Sequence, residues 1–416
     1  MNLPSRTSLR SRMPSVLAAS LALSLAACGG GGGTPVGIAN FQLTDAPVCS
    51  AVQSVFITVD AIELIGANAS YSLTLPQPQQ PIDLTSLVNG QTLSLGNVSV
   101  PAGTYQQLRL ILAPTQGNGP NPANYVLLSG SSTPVPLNTP SAQQSGYKIN
   151  GQFAVAANGQ VNLTVDFNAC RSVVVAGSSN QYILKPVLNL TDDDQSGSIT
   201  GNLPTSDAGA MVMAEDSSGH ILKATVATTA STTATSASFT LAPLPASSIG
   251  YNVVIAPPAP STSTTPSPNF APDAVLGVPV VAGQVTPLST SASPLPAVST
   301  TADAYYSGTI NLPSSADALV VAQEPLNSTT TISIAQSNGI ETSSSTTQTY
   351  AMELPSAAPD VATYSANGLI FTQSVTAPTV TISAYDSAGA TGSTMTMTNA
   401  LLRLSGTGDD TYYFDR

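Results

Sequence analysis

The sequence predicts an all-β protein: an antiparallel β-sandwich domain followed by two small β-sandwich repeats, with Ser/Thr/Pro-rich loops and linkers. Three observations lead there. Only 8% of the 416 residues are charged and 42% are hydrophobic, with no Trp; Ser, Thr, Ala, Val, Gly and Pro dominate, which suits short strands and turns better than helices. Apolar and polar residues alternate with period 2 in several segments. Gly and Pro turn signals fall between those segments.

The amino end is set apart from the fold. Arg6, Arg10 and Arg12 precede an apolar run from Val16 to Leu25, and Leu25-Ala26-Ala27-Cys28 closes it. That order is the charged, apolar and small-residue plan of a secretory signal peptide. Leu three positions before Cys resembles the lipobox of bacterial lipoproteins, so Cys28 is expected to become the lipidated first residue. The resemblance implies three acyl chains, and at about 0.8 kcal/mol per buried methylene they hold a protein on a bilayer durably. Gly29 at the next position, rather than an inner-membrane-retaining Asp, favours the outer membrane, facing periplasm or cell surface. The expected organisation is a signal peptide at 1–27, a lipidated Cys with Gly-rich tether at 28–38, a first sandwich at 39–191, and repeats at 196–300 and 305–416. Removal of three Arg leaves 7 basic against 22 acidic residues, or −15. A chain so acidic has no natural affinity for nucleic acid.

In the first domain, strands are expected at Val55 to Leu64, Tyr105 to Leu112, Val161 to Phe167 and Tyr182 to Leu190. Val161, Leu163, Val165 and Phe167 alternate with Asn162, Thr164 and Asp166, the mark of a half-buried strand. Pro101-Ala102-Gly103 makes a turn. With Cys28 set aside, Cys49 and Cys170 form an even pair in an oxidising compartment. They are read as a disulfide, the alternative being two buried thiols.

LTDAP at 43–47, VFITVDAIEL at 55–64, IDLTSL at 82–87, LGNVSVPAGTYQQLRLIL at 95–112, LTVDFNACRSVV at 163–174 and YILKPVLNL at 182–190 together resemble a bacterial lipoprotein domain of unknown function, number 4382. The resemblance implies no activity and no catalytic residues. Asn168 departs from it, standing where the motif is expected to carry Asp.

The remainder repeats itself. GNLPTSDAGAMVMA at 201–214 matches INLPSSADALVVA at 310–322 with a one-residue gap, and Leu244-Pro245 recurs as Leu354-Pro355. FTLAPLPASSIGYNVVI at 239–255 resembles the closing hairpin of the transthyretin-like, carboxypeptidase-regulatory sandwich. Thr225 to Ser238, Pro257 to Pro268, Ser289 to Thr301 and Asn327 to Thr349 read as extended linkers or loops, with O-glycosylation as a functional alternative.

Candidate chemistry is sparse. Asp45, Asp166, Arg171 and Lys185 are scarce charges in the family-like motifs, open to reading as a shared polar site or as structural ion pairs. Asp192, Asp194 and Ser196 resemble the front of a calcium loop, although Leu203 stands where an EF-hand needs its bidentate Glu. His220, the only His, is the sole candidate base for nucleophilic catalysis. No cofactor is expected. The composition and motifs favour a non-enzymatic binding or structural lipoprotein, held to the bilayer by its acyl chains and displaying sandwich surface to an envelope protein or glycan. The alternative is an envelope hydrolase or metal-dependent enzyme with its site in the first domain.

Overall fold

The computed structural model describes residues 34–45, 52–67, 69–75, 80–115, 122–176, 181–256, 271–297, 303–311, 318–338, 340–341, 347–355, 357–365, 368–373, 379–386, 391–398 and 408–413. Residues 1–33, with Cys28 and the expected signal peptide, lie outside them, whereas Val36 to Ile38 of the expected tether already belong to the first strand. Among the described residues no helix is long and apolar enough to cross a membrane.

The first module begins with β1 (Val36–Asp45), β2 (Val52–Ile57), β3 (Val59–Gly66), β4 (Ser70–Thr74), β5 (Ile82–Asp83), β6 (Leu93–Pro101) and β7 (Gly103–Leu112). It continues with β8 (Tyr125–Leu128), β9 (Val135–Asn138), β10 (Tyr147–Val155), β11 (Gln160–Phe167), the single-turn α1 (Ala169–Ser172), β12 (Val173–Ala176), β13 (Gln181–Leu184) and β14 (Leu188–Asp192). Three sheets result, ordered β14-β11-β1-β6, β10-β7-β3-β4 and β12-β13-β9-β8-β2-β5. They close on one apolar core, into which β1 turns Ala39, Phe41 and Leu43 and β11 turns Val161, Leu163, Val165 and Phe167. The pairing is not wholly antiparallel, because β1 lies parallel to β11.

Two expected strands are each broken in two. Val55 to Leu64 divides at Thr58, whose backbone N–H donates to Asn124 Oδ1 at 2.9 Å while its hydroxyl donates to Ala123 O at 2.6 Å. Those bonds hold Thr58 out of the ladder and send β2 and β3 into different sheets. Tyr182 to Leu190 breaks around Pro186, a residue that cannot donate to a ladder, so β13 and β14 also part.

The second module holds β15 (Ser196–Pro204), β16 (Met211–Glu215), β17 (Ile221–Val226), β18 (Ser236–Pro245), β19 (Ser247–Ala256), β20 (Asp273–Val280) and β21 (Val285–Pro287). The third holds β22 (Asp303–Asn311), β23 (Ala318–Pro325), β24 (Thr331–Asn338), β25 (Ile340–Glu341), β26 (Thr347–Pro355), β27 (Asp360–Thr363), β28 (Thr372–Gln373), β29 (Thr379–Asp386), β30 (Thr391–Thr398) and β31 (Gly408–Tyr413). In the second, β15 pairs antiparallel with β18 and parallel with β21, while β16 lies between β17 and β19. In the third, β22 pairs antiparallel with β26 and parallel with β31, while β23 lies between β24 and β29. The two pairing schemes are the same.

These two modules are fused. Strands β27 and β28 of the third extend the sheet of the second, giving the order β17-β16-β19-β20-β27-β28. One face of that sheet packs Val212, Ala214, Val253 and Ile255 into the second module's core. Its other face packs Met211, Met213, Val254 and Ala256 against Ile310, Ile332, Met352 and Ile382 of the third. Every residue of β16 is therefore buried. Of the tracts expected to be linkers, Asn327 to Thr349 contains β24, because its Thr-Ile-Ser-Ile alternation places Ile332 and Ile334 in this shared core. Thr225 to Ser238 is also held, by the Thr228–Ser238 bridge. Pro257 to Pro268 lies outside the described residues.

Candidate functional site: the polar junctions between modules

Parallel register decides which side chains of the first module can meet. Asp45 lies opposite Phe167 and Thr44 opposite Asp166, and residues paired this way share a sheet face. Asp45 therefore points to the core side and Asp166 to the other side, so these two of the four candidate charges do not face each other. Asp45 is buried, and its Oδ1 accepts the backbone N–H of Ala169 at 2.8 Å, which fixes the entry to α1. Lys185 is half-buried, and its backbone N–H donates to Ser172 O at 2.7 Å. Asn168 serves through its backbone: its N–H donates to Val187 O and its carbonyl accepts the Ser172 hydroxyl. The side chains of Arg171 and Cys170, and all of Cys49, lie outside the described residues, as does the disulfide expected between the two cysteines.

Asp166 meets a residue the sequence did not single out. On β17, Lys223 lies opposite Ala214, on the face that points into the second module's core. Since β17 is an edge strand, the lysine stem can run through the core and carry its ammonium out at the margin. There Lys223 Nζ meets Asp166 Oδ2 at 2.8 Å, with side-chain exposures of only 3% and 14%. A desolvated pair of this kind ties the two modules together and leaves each charge dependent on the other.

The same face of β11 carries the acidic turn at Asp192 to Gln195. Thr164 Oγ1 donates to Asp193 Oδ2 at 2.9 Å, and Asn162 donates to Asp194 Oδ1 at 3.2 Å. Burial pushes Asp193 up to about 6, against the lowering effect of the Thr164 hydrogen bond. The segment read as the front of a calcium loop forms a capped turn. Asp192 caps the turn by accepting Asp194 N–H at 3.0 Å, and the Ser196 hydroxyl donates to Asp192 O at 2.7 Å. Those oxygens serve the turn, and among the described residues no group of three or more His, Cys, Asp or Glu is placed to hold a metal ion.

A second contact comes from Asn89 and Gly90. Asn89 Nδ2 donates to Thr228 Oγ1 and Ser238 O, and its Oδ1 accepts Thr240 N–H, all across to the second module. Gly90 has φ +77° and would bring any Cβ to 2.6 Å from Thr240 Cγ2. The turn therefore needs glycine for both its conformation and its close approach.

Between the second and third modules, Glu215 is fully buried and its Oε2 accepts the Ser333 N–H at 2.8 Å. Burial holds this carboxyl well above the usual range. Ser333 Oγ donates to Gly219 O at 2.6 Å, and Thr331 N–H donates to Ser217 O at 3.0 Å. The β16–β17 turn thus docks on β24. His220 sits on that turn but is exposed, with Nδ1 3.2 Å from Asp216 Oδ2.

Comparison with known proteins gives a match in the first module. Residues 36–186 match the family model described as a domain of unknown function (DUF4382). The match covers the first module up to the start of β14 and includes Asp45 and Asp166. No curated protein matches the chain. Among solved structures, the tip fimbrial protein Mfa3 from Porphyromonas gingivalis, with a C-terminal truncation, is similar at 11% identity over 49% of this chain and 81% of that one. Its TM-score is 0.15, and that likeness carries no argument here.

Proposed function

We propose that the chain is a lipid-anchored envelope protein with a binding or structural role, in which the DUF4382-like module and the two fused modules after it form one surface for a protein or glycan partner. The observation that carries this reading is the use made of the scarce charges. Asp166 and Lys223 are spent on each other across a module boundary, Glu215 on the backbone of the next module, and Asp45 on α1. Polar groups placed this way stiffen a multi-module body. Leu25-Ala26-Ala27-Cys28 and the glycines after it support attachment at the amino end, with the two later modules sharing the ancestry that their common pairing scheme suggests.

The test is expression of the full chain and of its Cys28→Ser variant in a Gram-negative host, followed by membrane fractionation, mass analysis of the mature amino terminus and cross-linking in the intact envelope. The expected result is a triacylated, membrane-bound chain that cross-links to an envelope component, and a variant that is released or left unprocessed. Normal processing and membrane retention of the variant would remove the lipid anchor. Turnover of an envelope polymer by the purified chain would replace the binding role with an enzymatic one.

A further inference from the structure

One end of the second module is an apolar tip open to solvent. Between β19 and β20 the register slips: Ser247 lies opposite Val280 and Tyr251 opposite Val278, so Ser248, Ile249 and Gly250 together face the single Pro279. A bulge of this kind re-aims the side chains it carries. Gly250, at φ +85°, donates its N–H to Ser247 Oγ at 3.1 Å, and a Cβ there would come to 2.6 Å from Gly277 C. The bulge leaves Ile249 88% exposed. Val281, next to Val280, and Val285, opposite Ser198 at the start of β15, are 58% and 60% exposed at the same end. Single exposed aliphatics are ordinary, whereas a group of them marks a contact surface. The chain around them is uncharged, with no Asp, Glu, Lys, Arg or His at 224–272 or 274–302. The acids closest to β15 in sequence, Asp193 and Asp194, turn to Thr164 and Asn162 of β11. In a protein of net charge −12, such a tip can enter an apolar layer without burying an ion.

Two sets of contacts fix the direction of the tip. Thr240 of β18 lies against Asn89, beside the carboxyl end of β1, where Asp45 N–H donates to Leu87 O. Further along, Ala246 N–H donates to Gln195 O, next to Asp194, which accepts from Asn162 opposite Asn40 of β1. β18 therefore runs antiparallel to β1, and Ile249, Val281 and Val285 lie toward the end at which β1 begins. Cys28 is seven residues before Pro35 and can be no more than about 25 Å from it. Three aliphatic side chains are far fewer than the roughly 20–30 residues a side of a stable protein interface. A chain already tethered to a bilayer needs only a weak second contact, because the tether supplies a high effective concentration.

We propose that the tip formed by Ile249, Val281 and Val285 is a second membrane contact, which dips into the acyl layer near the lipidated Cys28 and sets the angle at which the modules stand on the bilayer. This inference rests on the lipid anchor proposed above. The anchor fixes one point of the body, and the tip fixes its tilt.

The absence of Trp gives the test a silent background. The full chain carrying Ile249→Trp is expressed in a Gram-negative host and reconstituted into phosphatidylcholine vesicles, and its Trp emission is compared with that in vesicles whose acyl chains are brominated; flotation of the vesicles reports the anchor separately. Brominated lipid is expected to quench Ile249→Trp at least twofold. Thr232→Trp, in the exposed loop that Asn89 contacts at Thr228 and Ser238, lies at the opposite end and is expected to stay unquenched. Adding Val281→Asp and Val285→Asp to Ile249→Trp is expected to abolish the quenching. A floating chain whose Ile249→Trp is unquenched would overturn the tip and leave the anchor standing, and a blue-shifted emission in that unquenched chain would give the surface to a protein neighbour instead. Equal quenching at both positions, or quenching that survives the two Asp changes, would also overturn it. A chain that does not float would overturn the anchor, and the tip with it.

Discussion

Removing the charge of Asp166 puts the Asp166–Lys223 junction to its hardest test. At 2.8 Å and an effective dielectric constant near 20, the direct attraction is about 6 kcal/mol. Desolvation offsets much of that when the pair forms, so its net contribution is far smaller than its cost of rupture. In Asp166→Asn the ammonium remains where it was, 3% exposed, with its stem inside the second module's core. An uncompensated buried charge costs about 3–5 kcal/mol. The reverse change, Lys223→Met, fills the same channel with an apolar chain but leaves a carboxylate that is only 14% exposed and whose Oδ1 is buried without a hydrogen-bond partner. It is also expected to cost about 3 kcal/mol, because it too leaves one charge of a buried pair uncompensated. The double variant should therefore recover most of what Asp166→Asn loses, a coupling of about 2 kcal/mol or more between residues of different modules. Urea unfolding followed by far-ultraviolet circular dichroism measures all three, and the absence of Trp makes dichroism the suitable probe. The reasoning is refuted if Asp166→Asn lies within 1 kcal/mol of wild type, or if adding Lys223→Met to it restores nothing.

Glu324 gives a pH dependence of definite sign. Its carboxyl is buried and raised from 4.5 to about 7 by that burial, so its contribution is fully present below about pH 4.5 and is lost as pH rises through about 7. The shift corresponds to about 3 kcal/mol; melting temperature should fall between pH 5 and 8, and Glu324→Gln should flatten the decline. Burial holds the Glu215 carboxyl well above the usual range, and an amide in its place keeps an oxygen to accept the Ser333 N–H, so Glu215→Gln should cost less in a thermal melt than Glu215→Ala. Glu215→Ala orphans the Ser333 N–H and should cost about 1–3 kcal/mol. Gly90→Ala combines a positive φ with a 2.6 Å approach to Thr240 and should destabilise by about 1–2 kcal/mol, measurable by urea titration. Protein isolated from an oxidising compartment should show no free thiol at Cys49 or Cys170 under denaturing conditions, and reduction should lower its melting temperature; two titratable thiols would remove the bridge.

The strands were legible where burial is local and alternating. Val161 to Phe167 falls within β11 and Tyr105 to Leu112 within β7, because period 2 is written into those residues. The break at Thr58 was not legible, since its cause is Asn124, 66 positions away. Alternation alone would have placed Asp166 and Phe167 on opposite faces of β11. The parallel neighbour that sets Asp45 beside Phe167 has no local signature. Lys223 carried a faint signal, a lone charge inside the otherwise apolar and small Ile221 to Val226. Its counter-ion came from another module, and no pattern along the chain connects the two. The continuous apolar run at Met211 to Ala214 fits burial on both faces, but nothing in it shows that the second face belongs to the third module.

The parallel closing strands also constrain the order in which the protein can assemble. β1 waits for β11, β15 for β21 and β22 for β31 before its second edge is satisfied. In the first module the partners are 122 positions apart. As the chain is made from its amino end, each module's opening strand is half-paired while the intervening residues emerge, and the sheet closes last. Long-range closure of this kind slows folding and leaves an open edge able to recruit a neighbouring chain. Dilution and a folding helper during synthesis should therefore raise the yield of this protein.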